Sequence, residues 1–439
     1  MKKLSVNLSR LLLSAVLIVS GFVKAVDPHG TQYKLEDYAV AMGISDALPD
    51  IVALMLAVAL AAVEFCLGVF LLFAIRRRIV SRLALLMFVV MTPLTLWLAI
   101  ANPITDCGCF GDAIILTNWE TFWKNVVLLL AAVIVACWPT LMFRFVSKSN
   151  QWIVINYSIL FILVVAGWSL YDLPQFDFRP YHIGASIRDG MTIPEGAPQS
   201  QYETTFILEK DGQRREFTLD DYPDSTWTFI DSRTTLISEG YVPPIHDFTI
   251  QTNEGDDIAA DVLADTTYTF LLVSPQLDGA DDSRIDIINE LYEYSLHHGY
   301  PFYCLTASPD RDIDSWRDVT GAEYPFCHTD ETTLKTIIRS NPGLLLIKDG
   351  TVICKWSHNN LPVIDDSQWA MPLHQLEIGH IPDDSAPAKV LRLMVWFVLP
   401  LLLLTIADRL WAWSRWLRRK PKAQTPQDSP SAPKAPEIP

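Results

Sequence analysis

Two cysteines separated by one glycine, Cys107-Gly108-Cys109, stand in the segment NPITDCGCFGD, residues 102–112. Thiols this close can form a disulfide, but the short ring forces the Cα atoms toward the limits of good geometry. Such a bond is easily reduced and so is a good oxidant. Gly108 and Gly111 supply the backbone freedom of a tight turn, and Phe110 completes that supporting turn. Asp106 and Asp112 act in the other direction, because a neighbouring negative charge raises a thiol's pKa. Thiol–disulfide exchange, a structural turn with inert or permanently bridged sulfurs, and metal ligation all stand as readings at this point. Two cysteines alone do not complete a tetrahedral metal site, and no metal is expected.

A second candidate is Glu64, an ionisable residue in the middle of an apolar run, where such a group is expensive; proton transfer or cofactor contact and a neutral, hydrogen-bonded packing carboxyl both stand as readings. Lys24 lies near the outer end of its own apolar run. Counted in depth along the two runs, it is too far from Glu64 for direct pairing, and Thr92 and Thr95 stand at a more suitable level. Cys66 and Cys137 fall deep in separate apolar runs, read as packing residues, and supply no second dithiol to relay electrons.

These groups are positioned by long apolar runs near 9–26, 51–75, 79–101, 119–139, 152–170 and 388–411. Each approaches the ~20 residues a helix needs to cross ~30 Å of hydrocarbon. Half of the 439 residues are hydrophobic, and they concentrate in these six runs, which define an integral membrane protein. Lys2, Lys3 and Arg10, then Arg76, Arg77, Arg78 and Arg82, then Arg144 and Lys148, then Arg415, Arg418, Arg419, Lys420 and Lys422 cluster at alternate run ends. One orientation satisfies them all: both termini cytoplasmic, with the Cys-Gly-Cys loop and the long polar stretch before the last span outside. The first run, with its basic start and small residues, also fits a cleaved signal peptide, which would leave every later segment on the same side. The net charge is -16 and the polar stretch is strongly acidic, which argues against nucleic acid as a partner.

The elements SGFVKAVDPHG, KLEDY, EFCLGVFLL and DCGCFGD, taken together, resemble the DoxX/MauE group of small redox-associated membrane proteins. The resemblance covers about residues 8–140. It implies a four-helix unit with an acidic residue on its second helix and a Cys-x-Cys-Phe-Gly turn. It further implies thiol redox work by Cys107 and Cys109. Methylamine utilisation enters by the family name only, and quinone is a cofactor the resemblance permits without independent support; no other cofactor is expected.

From His246 onward strands alternate with helices: HDFTIQT, YTFLLVS, PFYCLTAS and YPFCHTD read as β, with a helix over DDSRIDIINELYEYSLHHG capped by Asp281 or Asp282. A hairpin on Asp349-Gly350 closes the pattern. Order and spacing resemble the thioredoxin fold in its TlpA or peroxiredoxin-like form, over roughly 245–362, with Pro342 as the cis-proline of that fold. Active members carry Trp-Cys-x-x-Cys after the strand matching TFLLVS. Here the stretch is SPQLDGADD, residues 274–282, without cysteine, so the domain is expected to be inactive at its usual site. Cys304, Cys327 and Cys354 read as buried thiols, with a bridge between Cys304 and Cys327 as an alternative. His328 and His297-His298 carry no ligand signature.

The expected architecture is thus an α-helical membrane bundle of a DoxX-like four-helix unit plus two further spans, with an extracytoplasmic α/β thioredoxin-like domain and a small β subdomain. The boundaries are 1–143 for the four-helix unit, 144–171 for the fifth span and 172–244 for the β subdomain, including a hairpin turning at Asp211-Gly212. The thioredoxin-like part takes 245–387, the sixth span 388–412, and a Pro-rich disordered tail 413–439. The expected function is thiol–disulfide exchange with an extracytoplasmic protein partner or thiol substrate, from the inner membrane of a bacterial cell. A non-enzymatic membrane-anchored binding or scaffold protein is the alternative.

Overall fold

In the computed structural model, six helices are long and apolar enough to cross a membrane. The structure describes all residues except 46–47, 105–106, 199–200, 211–212, 219–220, 222, 224–225, 239, 384–385 and 418–439. Asp106, the Asp211-Gly212 turn, Arg418, Arg419, Lys420, Lys422 and most of the C-terminal tail therefore lie outside the described residues. Helix α1 spans Lys2–Val26, α2 Pro28–Ala41, α3 Asp50–Phe73, α4 Arg77–Ala101, α5 Asn118–Cys137 and α6 Gln151–Tyr171.

Helix α2 is absent from the sequence reading, although its start is written plainly. Asp27 caps it by accepting from the Gly30 amide at 2.9 Å, and Pro28 takes the first helical turn, where a missing N–H costs nothing. Helices α1 and α3 run antiparallel in close contact because glycines remove the side chains between them. A Cβ on Gly21 would stand 2.3 Å from the Phe65 backbone nitrogen, and one on Gly68 2.8 Å from the backbone nitrogen of Ile18. With Gly21 level with Ala61 and Phe65, α3 continues for about ten residues, roughly 15 Å, past the end of α1. Helix α2 packs along that extension.

After α6 the chain folds into α7 (Ile187–Met191) and a three-stranded antiparallel sheet of β1 (Gln201–Lys210), β2 (Gln213–Phe217) and β3 (Thr228–Ser238), in the order β2-β1-β3. Then come α8 (Ala259–Ala264), β4 (Tyr268–Ser274), α9 (Ile285–His298), β5 (Phe302–Thr306), α10 (Asp310–Thr320), β6 (Phe326–His328), α11 (Glu331–Ile337), β7 (Gly343–Lys348) and β8 (Thr351–Ser357). These strands form one sheet, β6-β5-β4-β7-β8, parallel from β6 to β4 and antiparallel across β7 and β8. Apolar side chains cover both of its faces, Phe270, Leu272 and Tyr294 on one and Leu271, Val273 and Leu345 on the other. The last helix, α12 (Ala386–Leu417), is the sixth apolar span.

Several local expectations change. The segment HDFTIQT forms no strand; Gln251 makes isolated bridges to Asp257 and His328. Helix α9 starts at Ile285 behind Arg284, and Asp281 instead accepts from the Ser283 amide at 2.9 Å. Residues 181–187, sequence-assigned to the β subdomain, pack into the five-stranded core through Tyr181 and Ile187. Cys304 and Cys327 do lie on paired strands, but Cys304 stands opposite Phe326 and Cys327 opposite Leu305, so the two thiols leave opposite faces of the sheet.

Candidate functional site

The loop between α4 and α5 folds back onto the end of α1. Gly108 and Gly111 adopt φ of 62° and 52°, left-handed values that glycine takes freely, and the Gly111 amide closes the turn on the Gly108 carbonyl at 3.1 Å. A Cβ on Gly108 would meet Lys34 Cγ of α2 at 3.1 Å, so the glycine also permits the loop's approach to that helix. Phe110 is buried, and the Lys124 ammonium of α5 lies 4.5 Å from its ring centre. The Cys107 and Cys109 sulfurs stand 3.1 Å apart as free thiols.

The loop is anchored through its carbonyls. Tyr38 of α2 donates to the Cys107 carbonyl at 2.7 Å. Ser20 and Lys24, one helical turn apart on α1, both donate to the Cys109 carbonyl, at 2.7 and 2.9 Å. Lys24 also reaches Glu64 Oε2 at 2.7 Å and Ser20 Oγ at 2.7 Å, while Ser20 stands 2.6 Å from the same carboxylate oxygen. The expectation that Lys24 could not pair with Glu64 is thus overturned. Depth was counted from each helix's own end, whereas α3 overshoots α1 and brings its middle to the terminus of α1. Thr92 and Thr95 instead donate to carbonyls of their own helix, and Asn125 donates to Thr95.

Electrostatics distinguish the two sulfurs. The Cys109 thiol is held below its ordinary range by the hydrogen bond it shares with Cys107, with the Lys124 and Lys24 charges adding to the effect against burial. Cys107 moves up, first because its proton is held in that bond and then by burial. Cys109 is the sulfur placed to carry the negative charge.

Above the loop lies the five-stranded domain. Arg339, just before β7, sets its Nε 3.0 Å from both Asp27 oxygens, its Nη2 2.9 Å from Asp27 Oδ2 and 3.5 Å from Asp112 Oδ2. Its guanidinium lies against Tyr33 of α2, 5.2 Å from the ring centre. Burial would raise the Asp27 carboxyl, but Arg339 and Arg179 outweigh it and leave it below the ordinary carboxylate value. For Asp112 burial wins, and its carboxyl moves up. Between the bundle and the domain runs a cleft of about 520 Å³, bordered by Lys24, Gly108, Asp112, Tyr33, Phe178 and Arg339.

The sequence-selected residues Lys24, Glu64, Cys107, Gly108, Cys109, Phe110 and Gly111 therefore meet in one place. Pro342 lies elsewhere, three residues after Arg339; its peptide bond to Asn341 is cis. Ser20, Tyr38, Asp27, Lys124 and Arg339 were not selected. Ser20 was within reach of sequence reasoning, since a hydroxyl four residues before Lys24 shares its helix face. Nothing local marks Arg339, which lies 312 residues from Asp27. Cys66 is buried in the bundle and Cys137 exposed on it. Among the described residues, no group of three or more His, Cys, Asp or Glu side chains is placed to hold a metal ion.

In comparison with known proteins, residues 2–138 match the family described as methylamine utilisation protein MauE. Residues 202–239, the three-stranded sheet, match a domain of unknown function, DUF8463. No curated protein matches the chain. Among solved structures, a "putative protein disulfide isomerase" from Bacteroides thetaiotaomicron matches at 15% identity over 25% of this chain and 73% of that one; its TM-score of 0.22 is too low to establish a shared fold. Six helices long and apolar enough to cross a bilayer make this a membrane protein, and its first part is similar to the MauE family.

Proposed function

We propose that this protein exchanges disulfides with an extracytoplasmic protein partner through Cys107 and Cys109, beneath a thioredoxin-like domain that has lost its own dithiol. The observation that carries the proposal is the pair itself: sulfurs 3.1 Å apart, on a glycine turn whose carbonyls are fixed by Ser20, Lys24 and Tyr38. A purely structural turn has no need of a stabilised thiolate at Cys109. In the exchange, the Cys109 thiolate attacks a partner disulfide, forming a mixed disulfide and releasing one partner thiolate. Cys107 then gives up its proton, attacks Cys109 Sγ and releases the second. The partner gains two electrons and the pair becomes a disulfide; a partner dithiol runs the same steps in reverse. The exchange needs no bound cofactor, and quinone-linked reoxidation would be revealed by quinone-dependent turnover.

The thioredoxin-like reading of the soluble part is supported by three parallel strands flanked by the antiparallel β7 and β8, with cis-Pro342 entering β7. Both termini are proposed to be cytoplasmic and the domain periplasmic, in the inner membrane of a bacterium. The test is thiol trapping of the wild type and of Cys107→Ser, after oxidant and after reductant. Interconversion in the wild type and a mixed disulfide in the variant are expected. Thiols that stay uniformly reduced, or uniformly closed, under both challenges sink the proposal, as does failure of a membrane-impermeant maleimide to reach the reduced pair from outside. The second reading, a binding or scaffold protein, is favoured by one observation: 274–282 carries no cysteine. If removal of the soluble domain is harmful while Cys107→Ser/Cys109→Ser is silent, binding is the function.

A further inference from the structure

At the end of the bundle opposite the dithiol, a cavity of about 570 Å³ opens between the start of α1, the α5–α6 link and α12. Lys3, Arg144, Lys148 and Arg409 line it, with Asp408 as the one carboxylate among them. That carboxylate is already committed. It accepts from the Ser147 amide at 2.9 Å, the Ser147 hydroxyl at 2.6 Å and the Asn150 amide group at 2.7 Å. Four cations, of which Arg409 also donates to the Phe145 and Arg144 carbonyls, therefore face a cavity whose one acid among the described residues is satisfied by its neighbours.

Two guanidinium groups here are incompletely bonded. Arg144 Nε, at the cavity, and Arg10 Nε, behind it, are buried without a hydrogen-bond partner among the described residues. Arg10 is 2% exposed and donates from Nη1 to the Phe143 carbonyl at 2.5 Å. A buried charged donor left unpaired costs more than a neutral one, so such groups normally find an acceptor. Basic residues that only set membrane orientation need to be on one side and wet. They need neither converge on a cavity nor bury a guanidinium edge. The lip is apolar: Leu141, Met142 and Phe143 also line the opening, and Phe143 is half exposed.

We propose that this cavity binds the phosphodiester headgroup of an anionic phospholipid, the phosphate among Lys3, Arg144, Lys148 and Arg409 and the acyl chains leaving past Phe143. Basic pockets between spans that meet anionic headgroups are a general device of membrane proteins. The inference uses neither the dithiol nor the exchange reaction, so it stands or falls independently of them.

The test is native mass spectrometry of the full chain in detergent, with dioleoylphosphatidylglycerol or dioleoylphosphatidylcholine added at equal concentration. A preference for phosphatidylglycerol of about tenfold is expected, the ratio that one or two charge-assisted contacts supply. Arg144→Gln/Lys148→Gln should abolish that preference. Arg78→Gln/Arg82→Gln, which removes the same charge from exposed residues off the cavity, should keep it. Equal retention of the two lipids by the wild type overturns the site, as does equal loss in the two double variants. Displacement of the lipid by millimolar inorganic phosphate would overturn the lipid as the source of the phosphate. If the Arg144 variant elutes as an aggregate, Lys3→Gln/Lys148→Gln, at two exposed lysines, takes its place.

Discussion

Substituting Lys24 by methionine tests whether the bundle was built around the dithiol loop. Lys24 is 5% exposed, and its ammonium donates to Glu64, to Ser20 and to the Cys109 carbonyl. Methionine keeps much of the stem and removes all three donors, while Glu64 keeps the Ser20 hydroxyl at 2.6 Å. Removing one member of a buried ion pair costs ~3–5 kcal/mol because the other charge is stranded. With Lys24 gone, the single Ser20 hydroxyl proton can turn from the Cys109 carbonyl to Glu64, which places Lys24→Met near the lower end, about 3 kcal/mol. Replacing both, as in Lys24→Met/Glu64→Leu, leaves no stranded charge and should cost less than either single change, giving a coupling of at least ~3 kcal/mol. Lys24 is also one of the cations that lower Cys109. Its loss should raise that thiol and slow alkylation at pH 7. The measurements are denaturation in mild detergent, followed by tryptophan fluorescence, and the rate of iodoacetamide labelling of the reduced protein. A cost for Lys24→Met below ~1 kcal/mol, or a double variant worse than both singles, would refute the argument from stranded charge.

Four further outcomes follow from the same geometry. In the reduced wild type, peptide mapping after brief alkylation at pH 7 should find Cys109 modified before Cys107, and the opposite order would reverse their assigned roles. Arg339→Gln should leave Asp27 with only Arg179 and the Gly30 amide to offset its burial and speed amide exchange in α2 and in the 107–112 loop; unchanged exchange would mean the contact holds nothing. Because Asp27 is held below its ordinary value of 3.8, the docking contribution should be complete above that value and be lost as pH falls through the lowered one, and Arg339→Gln should weaken this acid dependence. Gly108→Ala places a side chain at φ 62° and should cost about 1–2 kcal/mol, whereas Gly21→Ala pushes a methyl against helix backbone at 2.3 Å and should cost more. Equal melting temperatures for the two glycine variants would contradict that ranking.

The sequence made the chemistry of the site more legible than its geometry. Six apolar runs stand out because a bilayer demands a minimum length of each, and Cys107 and Cys109 are adjacent in the chain, so no folding knowledge is needed to pair them. Lys24 and Glu64 were both visible as misplaced charges, yet their contact was not. It depends on the offset between two helices, which Gly21 and Gly68 set by allowing backbone to touch backbone. Those glycines were the available clue to the offset, as Asp27-Pro28 was to α2. For Cys304 and Cys327, neighbouring strands were predictable but their facing was not, since a one-residue change of register moves a side chain to the other side of the sheet. Tyr38, Lys124 and Arg339 meet the loop through tertiary packing, and no local pattern announces them.

That packing also decides what the soluble domain can contribute to the proposed exchange. Its residues 274–282 and 340–342 form one edge of the fold, tied together by Ser274 to Asn341 at 2.7 Å and by Asn341 to the Gln276 carbonyl at 2.7 Å. Arg339 brings this edge down onto Asp27 and Asp112, and Asn359 fastens it to the Tyr171 carbonyl at the end of α6 at 2.7 Å. Residues 274–282, where the proposed thioredoxin-like fold would carry its dithiol, contain no cysteine. The domain's own cysteines do not substitute for it: burial moves Cys304 and Cys327 up and pushes Cys354 up to about 11, so none is a thiolate at neutral pH. In the proposed exchange, electrons pass directly between Cys107 or Cys109 and a partner sulfur, without a relay through the domain's cysteines. Under that proposal, the cleft beside the loop, walled by Tyr33 of α2 and by Arg339 of the domain, would select the partner, while the sulfur chemistry itself stays with the loop.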